Sequence, residues 1–379
     1  MKRLMLGMIS LIVLFFIVLA VLDKVKRPSE PDEGQEAQSS GQAAGPDGAS
    51  EQETVAPTPT SDRTIKLSLS LPETDANTVI QLLPSADQLI AGDAYALYQE
   101  ASNALPPALN ETELSDWGRM KPDAMPLARV KSLLDQTEEA FLLVDQAILC
   151  KDCNWPAATV GAQLTSLGRY RTLARLIGLK AAYESANNNP QGSIQALRMG
   201  FGMARQVAQG PTINHGMAGI GIAALTSRQI PVLAEQPNGV SLYAALENLP
   251  SPLISLEEAT QVELDNLDKD PKVNFLNRRA FLNILKPAHE RCRVLAKRFD
   301  RDLKALQCLE AIRLYAAVHH GDLPETLSEI THWKVPQDPV NEQPFVYALS
   351  GDTAILESPA SPDEPKSRLQ YEISVRPEP

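Results

Sequence analysis

The stretch LMLGMISLIVLFFIVLAVL, Leu4–Leu22, constrains this chain more than any other. It is 19 residues long and carries no charge. At ~1.5 Å per residue, such a helix just spans a hydrocarbon core of ~30 Å. Lys2 and Arg3 flank one side; Lys24, Lys26 and Arg27 flank the other, so the positive-inside rule nearly balances. A signal peptide cleaved near Ala20 is the competing reading, because Val18-Leu19-Ala20 offers a small-residue site. The apolar run continues past that site, which favours an uncleaved anchor. No Cys lies near residue 20, so lipoprotein processing is excluded. The expectation is a single-pass protein of a bacterial cell membrane, with its N-terminus in the cytoplasm and its bulk extracytoplasmic. Secretion after cleavage near Ala20 is the alternative.

Residues 28–62 contain eight acids, no base and one valine as the only large apolar residue. Such a segment cannot offset its ordering entropy by burial and is expected to be disordered. As a flexible coil of about 35 residues it reaches roughly 30–35 Å, a spacer between membrane and body. Much of the net charge of −12 belongs to this linker. No basic face of the kind nucleic acid requires stands out, so nucleic acid is not an expected partner.

The remaining chain reads as mainly α. Hydrophobic residues make up 44% of the sequence but aromatics only 5%, so the core is built from Leu, Ala, Ile and Val. This composition favours helices over a β-sandwich. Asp93 suits the N-cap of GDAYALYQEASNAL. In the segment 126–150, Leu127, Val130, Leu134, Phe141, Val144 and Ile148 share one helical face. In 161–186 the corresponding set is Leu164, Leu167, Tyr170, Ala174, Ile177 and Ala181. Asn189-Pro190 starts the next helix as cap and first-turn proline. Short breaks between helices imply antiparallel hairpins, without the fixed period of a regular repeat. A long helix follows Pro271; Pro287 is expected to kink or restart it, and Gly321 to stand at C′. Its seam is Leu295, Phe299, Leu303 and Leu306.

β patterning appears only at the two ends. RTIKLSLSL (63–71) alternates Ile65, Leu67, Leu69 and Leu71. FVYALSGDTAILES reads as a hairpin around Ser350-Gly351-Asp352, and LQYEISV as a further strand. The expected architecture is an N-terminal transmembrane helix, a helical-hairpin array and a small C-terminal β-sheet. Its divisions are an anchor (1–27), an acidic linker (28–62), a helical-hairpin domain preceded by a strand (63–270), and a long helix with a small β module (271–379).

Motifs that carry chemistry are incomplete. Cys150 and Cys153 have metal-like spacing, but no second C-x-x-C and no zinc-finger histidine follow. A local disulfide between Cys150 and Cys153, a longer-range disulfide, and metal or redox chemistry all remain open. Cys292 and Cys308, 16 positions apart on one helix, lie ~24 Å from each other, too far for a bond. HERCR (289–293) lacks the second histidine of H-E-x-x-H and reads as a solvated helical face. Arg291–Lys304 holds six bases and two acids, read as interleaved surface charge; a patch for lipid headgroups or an acidic partner is the other reading. GIGIAA (219–224) lacks the strand of a dinucleotide fold and fits close helix packing better. The run Gly216–Leu225 is too short for a second span. His319-His320 point about 100° apart and chelate poorly. DNLDKDP (265–271) is an acidic turn rather than a calcium loop. No catalytic, metal or cofactor residue set is indicated, and an enzyme is not favoured. His215, His319 and His320 are the titratable candidates were there one.

Two segments carry a resemblance. CNWPAATVGAQLTSLGRYRTLARLIGLKAAYESANNNPQGSIQALRMGFGMARQVAQGPTINHGMAGIGIAAL, with ALYQEASNALP upstream and LEAIRLYAAVHHGDLPETLSEI and VPQDPVNEQPFVY downstream, resembles a family of membrane-anchored helical proteins of planctomycete bacteria. Members share a Cys-Asp-Trp-like triplet before a helical hairpin, and Cys153-Asn154-Trp155 stands at that place here. The C-terminal helix, G-x-L-P-x-x-L, D-P and short strands also resemble the globular part of type II secretion pseudopilins. The chain lacks the Gly-Phe-Thr-Leu-Ile-Glu processing signature, so polymerisation is not expected. The first resemblance implies no activity, and implies that Cys153 is the shared cysteine and Cys150 incidental. The reading is a tethered scaffold or interaction module with envelope proteins as partners. An accessory of a secretion or pilus-like machine, or an envelope enzyme with dispersed residues, are the alternatives.

Overall fold

The computed structural model describes residues 64–72, 80–156, 160–237, 239–269, 275–360 and 367–376. The expected anchor Leu4–Leu22 and the linker 28–62 lie outside the described residues. The chain divides into two units, 1–61 and 62–379, and the second carries everything described here.

The alternation at the two ends of this unit builds one sheet. Strands β1 (Thr64–Leu69), β6 (Val346–Ser350), β7 (Thr353–Ser358) and β8 (Leu369–Val375) stand in the order β1-β8-β7-β6. β1 runs parallel to β8, pairing Leu67 with Ile373 and Leu69 with Val375. The other pairings are antiparallel. Because side chains alternate along a strand, Leu67, Leu69, Ala354, Leu356, Tyr371 and Ile373 are buried together on one face. The expected hairpin turn falls at Gly351-Asp352, with Gly351 at φ 58°. That left-handed conformation is what a two-residue turn demands, and glycine adopts it without a Cβ penalty. Two smaller pairs complete the strands: β2 (Ile90–Asp93) beside β3 (Cys150–Asp152), parallel, and β4 (Gln337–Asp338) beside β5 (Gln343–Pro344), antiparallel.

Eleven helices of the described residues follow in chain order: α1 (Ala94–Asn103), α2 (Glu111–Trp117), α3 (Leu127–Gln136), α4 (Glu138–Ile148), α5 (Val160–Ala186), α6 (Pro190–Ala208), α7 (Ile213–Ser227), α8 (Gln229–Ala234), α9 (Tyr243–Glu247), α10 (Glu257–Lys269) and α11 (Phe275–Val318). The centre is α5, α6 and α7, which pack on one another. Leu167, Tyr170, Ala174, Ile177 and Ala181 are buried as expected, and so are Leu173, Leu176 and Leu179. α5 is therefore covered on more than one side. Asn189 accepts the amide of Gly192 at 3.1 Å and Pro190 opens α6, so the cap read from the sequence is the cap formed. At Gly219 α7 approaches the α6 backbone closely: a Cβ there would lie 2.5 Å from the carbonyl oxygen of Ala204. Close packing is thus the use of GIGIAA, through its first glycine.

Three local expectations change. The face drawn from Leu127 to Ile148 belongs to two helices, broken at Thr137, which sits at φ −111° and ψ 9°. The Thr137 hydroxyl donates to the carbonyls of Leu133 and Leu134, competing for the groups a continuous helix would bond. Pro287 does not restart its helix: α11 runs 44 residues through it. The left-handed C′ residue is His320 at φ 56°, and Gly321 follows at C″, its amide bonding Ala316 at 2.8 Å.

Among the described residues one run, Ile213–Ala234, is long and apolar enough to cross a bilayer, with a mean hydropathy of 1.2. Its most apolar window is 61% buried inside this body. Ile220, Ile222, Ala223, Ile230 and Leu233 are all within the core, so its apolarity is already used in packing.

The sheet and the helices are joined by a buried ion pair. Arg313 is wholly buried and donates to the carbonyls of Ser70 (2.6 Å), Gly239 (3.0 Å) and Val240 (3.1 Å). Glu310, one turn earlier on α11, lies 3.4 Å from Arg313. It also accepts from the Ser241 hydroxyl and the Leu242 amide, each at 2.9 Å. A buried pair persists only where its remaining hydrogen-bonding capacity is met, as here.

Candidate functional site

The best-defined cluster of polar and aromatic groups surrounds the Cys-Asn-Trp loop. β2 and β3 bring Asp93 next to this loop. One carboxylate oxygen of Asp93 accepts the amide of Tyr95 at 3.0 Å, capping α1, and the amide of Asn154 at 2.9 Å. Burial pulls the Asp93 pKa upward, but the amide bonds from Asn154 and Tyr95 outweigh it and leave it below its ordinary value. Gly92 is needed beside this contact, since a Cβ there would lie 2.9 Å from Cys150 Sγ.

Trp155 then enters the helical array. Its ring meets Tyr95, Tyr170 and His215 edge-on, with centroids 5.1, 5.6 and 4.8 Å away. Its indole N–H donates to the carbonyl of Gln206 at 2.9 Å. The Gln206 side chain is the hub of the cluster. It accepts from the Tyr98 hydroxyl at 2.5 Å and donates to the carbonyls of Ala147 and Cys150 at 3.0 and 3.1 Å. Gln99 donates to the Tyr170 hydroxyl at 2.6 Å. Sequence reasoning missed Gln206; a glutamine on an amphipathic helix carries no signal of burial.

The electrostatics of this cluster disfavour reactivity. Burial pushes the His215 pKa down to about 4, opposed by Glu263, so the imidazole is neutral at pH 7. Its Nδ1 pairs with the Thr212 hydroxyl at 2.8 Å. Burial pushes the Cys153 thiol up to about 12, with Asp93 adding to it. Cys150 is raised by burial and by Asp93. Burial raises Tyr98 and Tyr170 as well. Protonated thiols are poor nucleophiles and poor metal ligands. All four cysteines are free thiols in this structure. Cys150 opens the extended strand β3, so three residue steps to Cys153 span ~10 Å between Cα atoms, against the ~4.4–6.8 Å of a disulfide.

A second cluster corrects the reading of HERCR as a solvated face. His289 and Cys292 are buried, while Glu290, Arg291 and Arg293 are exposed. His289 Nε2 lies 2.9 Å from Glu263 on α10, whose other oxygen accepts the amide of Ile213 at 2.9 Å. Glu263 therefore ties α10, the start of α7 and α11 together. Burial pushes Cys292 up to about 12, with Glu263 contributing. Arg301, expected in interleaved surface charge, is also inside. It donates to the carbonyl of Ser367 at 2.6 Å and pairs with Asp302 at 2.7 Å.

A cleft of about 310 Å³ lies nearby, lined by Arg205, Gly210, Pro211, Ser255, Glu258 and Val262 among others. Gly210 stands against the His215 ring, where a Cβ would overlap it. The other histidine candidates are elsewhere. His319 stacks on Tyr315 at 3.8 Å and its Nδ1 is 2.8 Å from the Tyr315 carbonyl oxygen, while His320 is the exposed left-handed residue after it. Structure brings neither to His215. Among the described residues, no group of three or more His, Cys, Asp or Glu side chains is arranged to hold a metal ion.

No family model, no curated protein and no solved structure matches this chain.

Proposed function

We propose that this chain is a single-pass, membrane-tethered scaffold or interaction module whose helical body lies outside the cytoplasm. The observation that carries it is how the buried polar groups are used. Asp93, Gln206, Glu263 and the Glu310–Arg313 pair each join separate elements of the fold. The apolar segment Leu4–Leu22 and the acidic spacer after it support tethering. The likeness of the Cys-Asn-Trp region to the planctomycete family of anchored helical proteins is part of this proposal.

A second reading, an accessory component of a secretion or pilus-like machine, is favoured by one feature. α11 leads through Gly321-Asp322-Leu323-Pro324 into a small sheet, the order of elements in pseudopilin globular parts. Crosslinking of the full-length chain in native membranes, followed by capture and mass spectrometry, separates the two. Recovery of defined envelope proteins supports the scaffold, and recovery of secretion components supports the second reading. Recovery of the bait alone overturns both.

A further inference from the structure

Six basic residues between Phe275 and Phe299 of α11 are exposed: Arg278 and Arg291 point about 100° or more away from Arg279, and the other four share one side of the helix. Arg279, Lys286, Arg293 and Lys297 follow at intervals of 7, 7 and 4 positions and all are exposed. At ~100° per residue these intervals place all four within a strip ~40° wide, and the strip is ~27 Å long. His289, Cys292 and Phe299, which are buried, lie outside this strip on the side packed against the body. The acid interrupting the strip is Glu290, 3.4 Å from Arg293. Two acids of the neighbouring α10 are engaged: Glu263 with Ile213 and His289, and Asp265, at the surface, with Gln261.

We propose that the Arg279–Lys297 strip of α11 is a docking face for an anionic phospholipid surface. A row of cations along one helix face fits a plane of phosphates, and each basic side chain near such a plane gains attraction that salt screens. The chain as a whole carries a net charge of −12, so a cationic strip orients the body by choosing which side turns toward the lipid. The proposal rests on the reading of a membrane-tethered chain, which places the body within reach of the bilayer.

The test uses the full chain with nanodiscs of phosphatidylcholine alone, or of phosphatidylcholine with about one third phosphatidylglycerol. Amine acetylation of Lys286 and Lys297 is read by mass spectrometry, with Lys66 and Lys131 as internal references. In the anionic discs, labelling of Lys286 and Lys297 should fall about threefold or more and recover at high salt, while the references stay constant. Arg279→Glu with Arg293→Glu leaves both reporter lysines in place and should abolish the protection. Equal labelling in the two lipids, or protection in both alike, overturns the docking face. Tethering is read separately, from assembly of the chain into the zwitterionic discs. A chain that fails to assemble there yet is protected by anionic discs keeps the docking face and loses the tether.

Discussion

Trp155 donates its indole N–H to the main-chain carbonyl of Gln206, and the side chain of the same Gln206 donates back to the carbonyl of Cys150 five residues before the tryptophan. The Cys-Asn-Trp loop and α6 are thus locked reciprocally. Replacing Gln206 by Leu strands the Ala147 and Cys150 carbonyls and the Tyr98 hydroxyl. The expected cost is about 2–4 kcal/mol. Trp155→Phe keeps most of the ring contacts and should cost about 1 kcal/mol; Trp155→Ala should cost about 3 kcal/mol. Urea unfolding of the three variants checks the order.

His215 makes stability depend on pH. Its folded pKa, about 4, lies below the ordinary value of 6.5. Between those values the unfolded chain binds the extra proton, so stability is complete above pH 6.5 and falls as the pH drops toward 4. The expected loss from this group is about 2 kcal/mol, after allowance for solvent screening. His215→Gln should flatten the slope across that window in urea titrations. An unchanged slope would mean another group is responsible.

Arg313 should be among the least replaceable residues. Arg313→Ala leaves Glu310 charged in the core, and the expected loss is about 3–5 kcal/mol. Replacing both residues by Leu should cost less than the two single changes added together, because neither charge is then left alone. A double-mutant cycle by chemical denaturation measures this.

The thiols provide a count. Four reactive cysteines are expected in the unfolded chain without reductant, and slow reaction of all four in the native protein at pH 7. Cys153, the one that is not fully buried, should react first. A count of two would place a bridge somewhere among them and require the extended strand at Cys150 to open.

What could be read from the sequence was what local chemistry decides. The alternation in 64–69 and 369–375 announced strands, Asn189-Pro190 announced a helix start, and Gly351 a hairpin turn. Each signal lies within a few residues of its effect. The break at Thr137 was hidden, because a threonine hydroxyl bonding back along the helix leaves the hydrophobic period intact. His289 and Arg301 looked solvated because their partners, Glu263 and the Ser367 carbonyl, come from other segments. Arg313 reaches a carbonyl 243 positions away in the chain. Gln206 gave no sign of being the hub of the Cys-Asn-Trp cluster, since its partners are assembled only when α1, α4 and α6 have packed.

The most direct test of the account is the sidedness of the full-length chain in its own membrane. Sealed cells with a permeabilised outer envelope are treated with protease, and membranes are washed at alkaline pH. The account predicts that the chain stays with the washed membranes and that the body from residue 62 onward is reached by protease added outside. Release by the wash, or full protection until the inner membrane is broken, would contradict it.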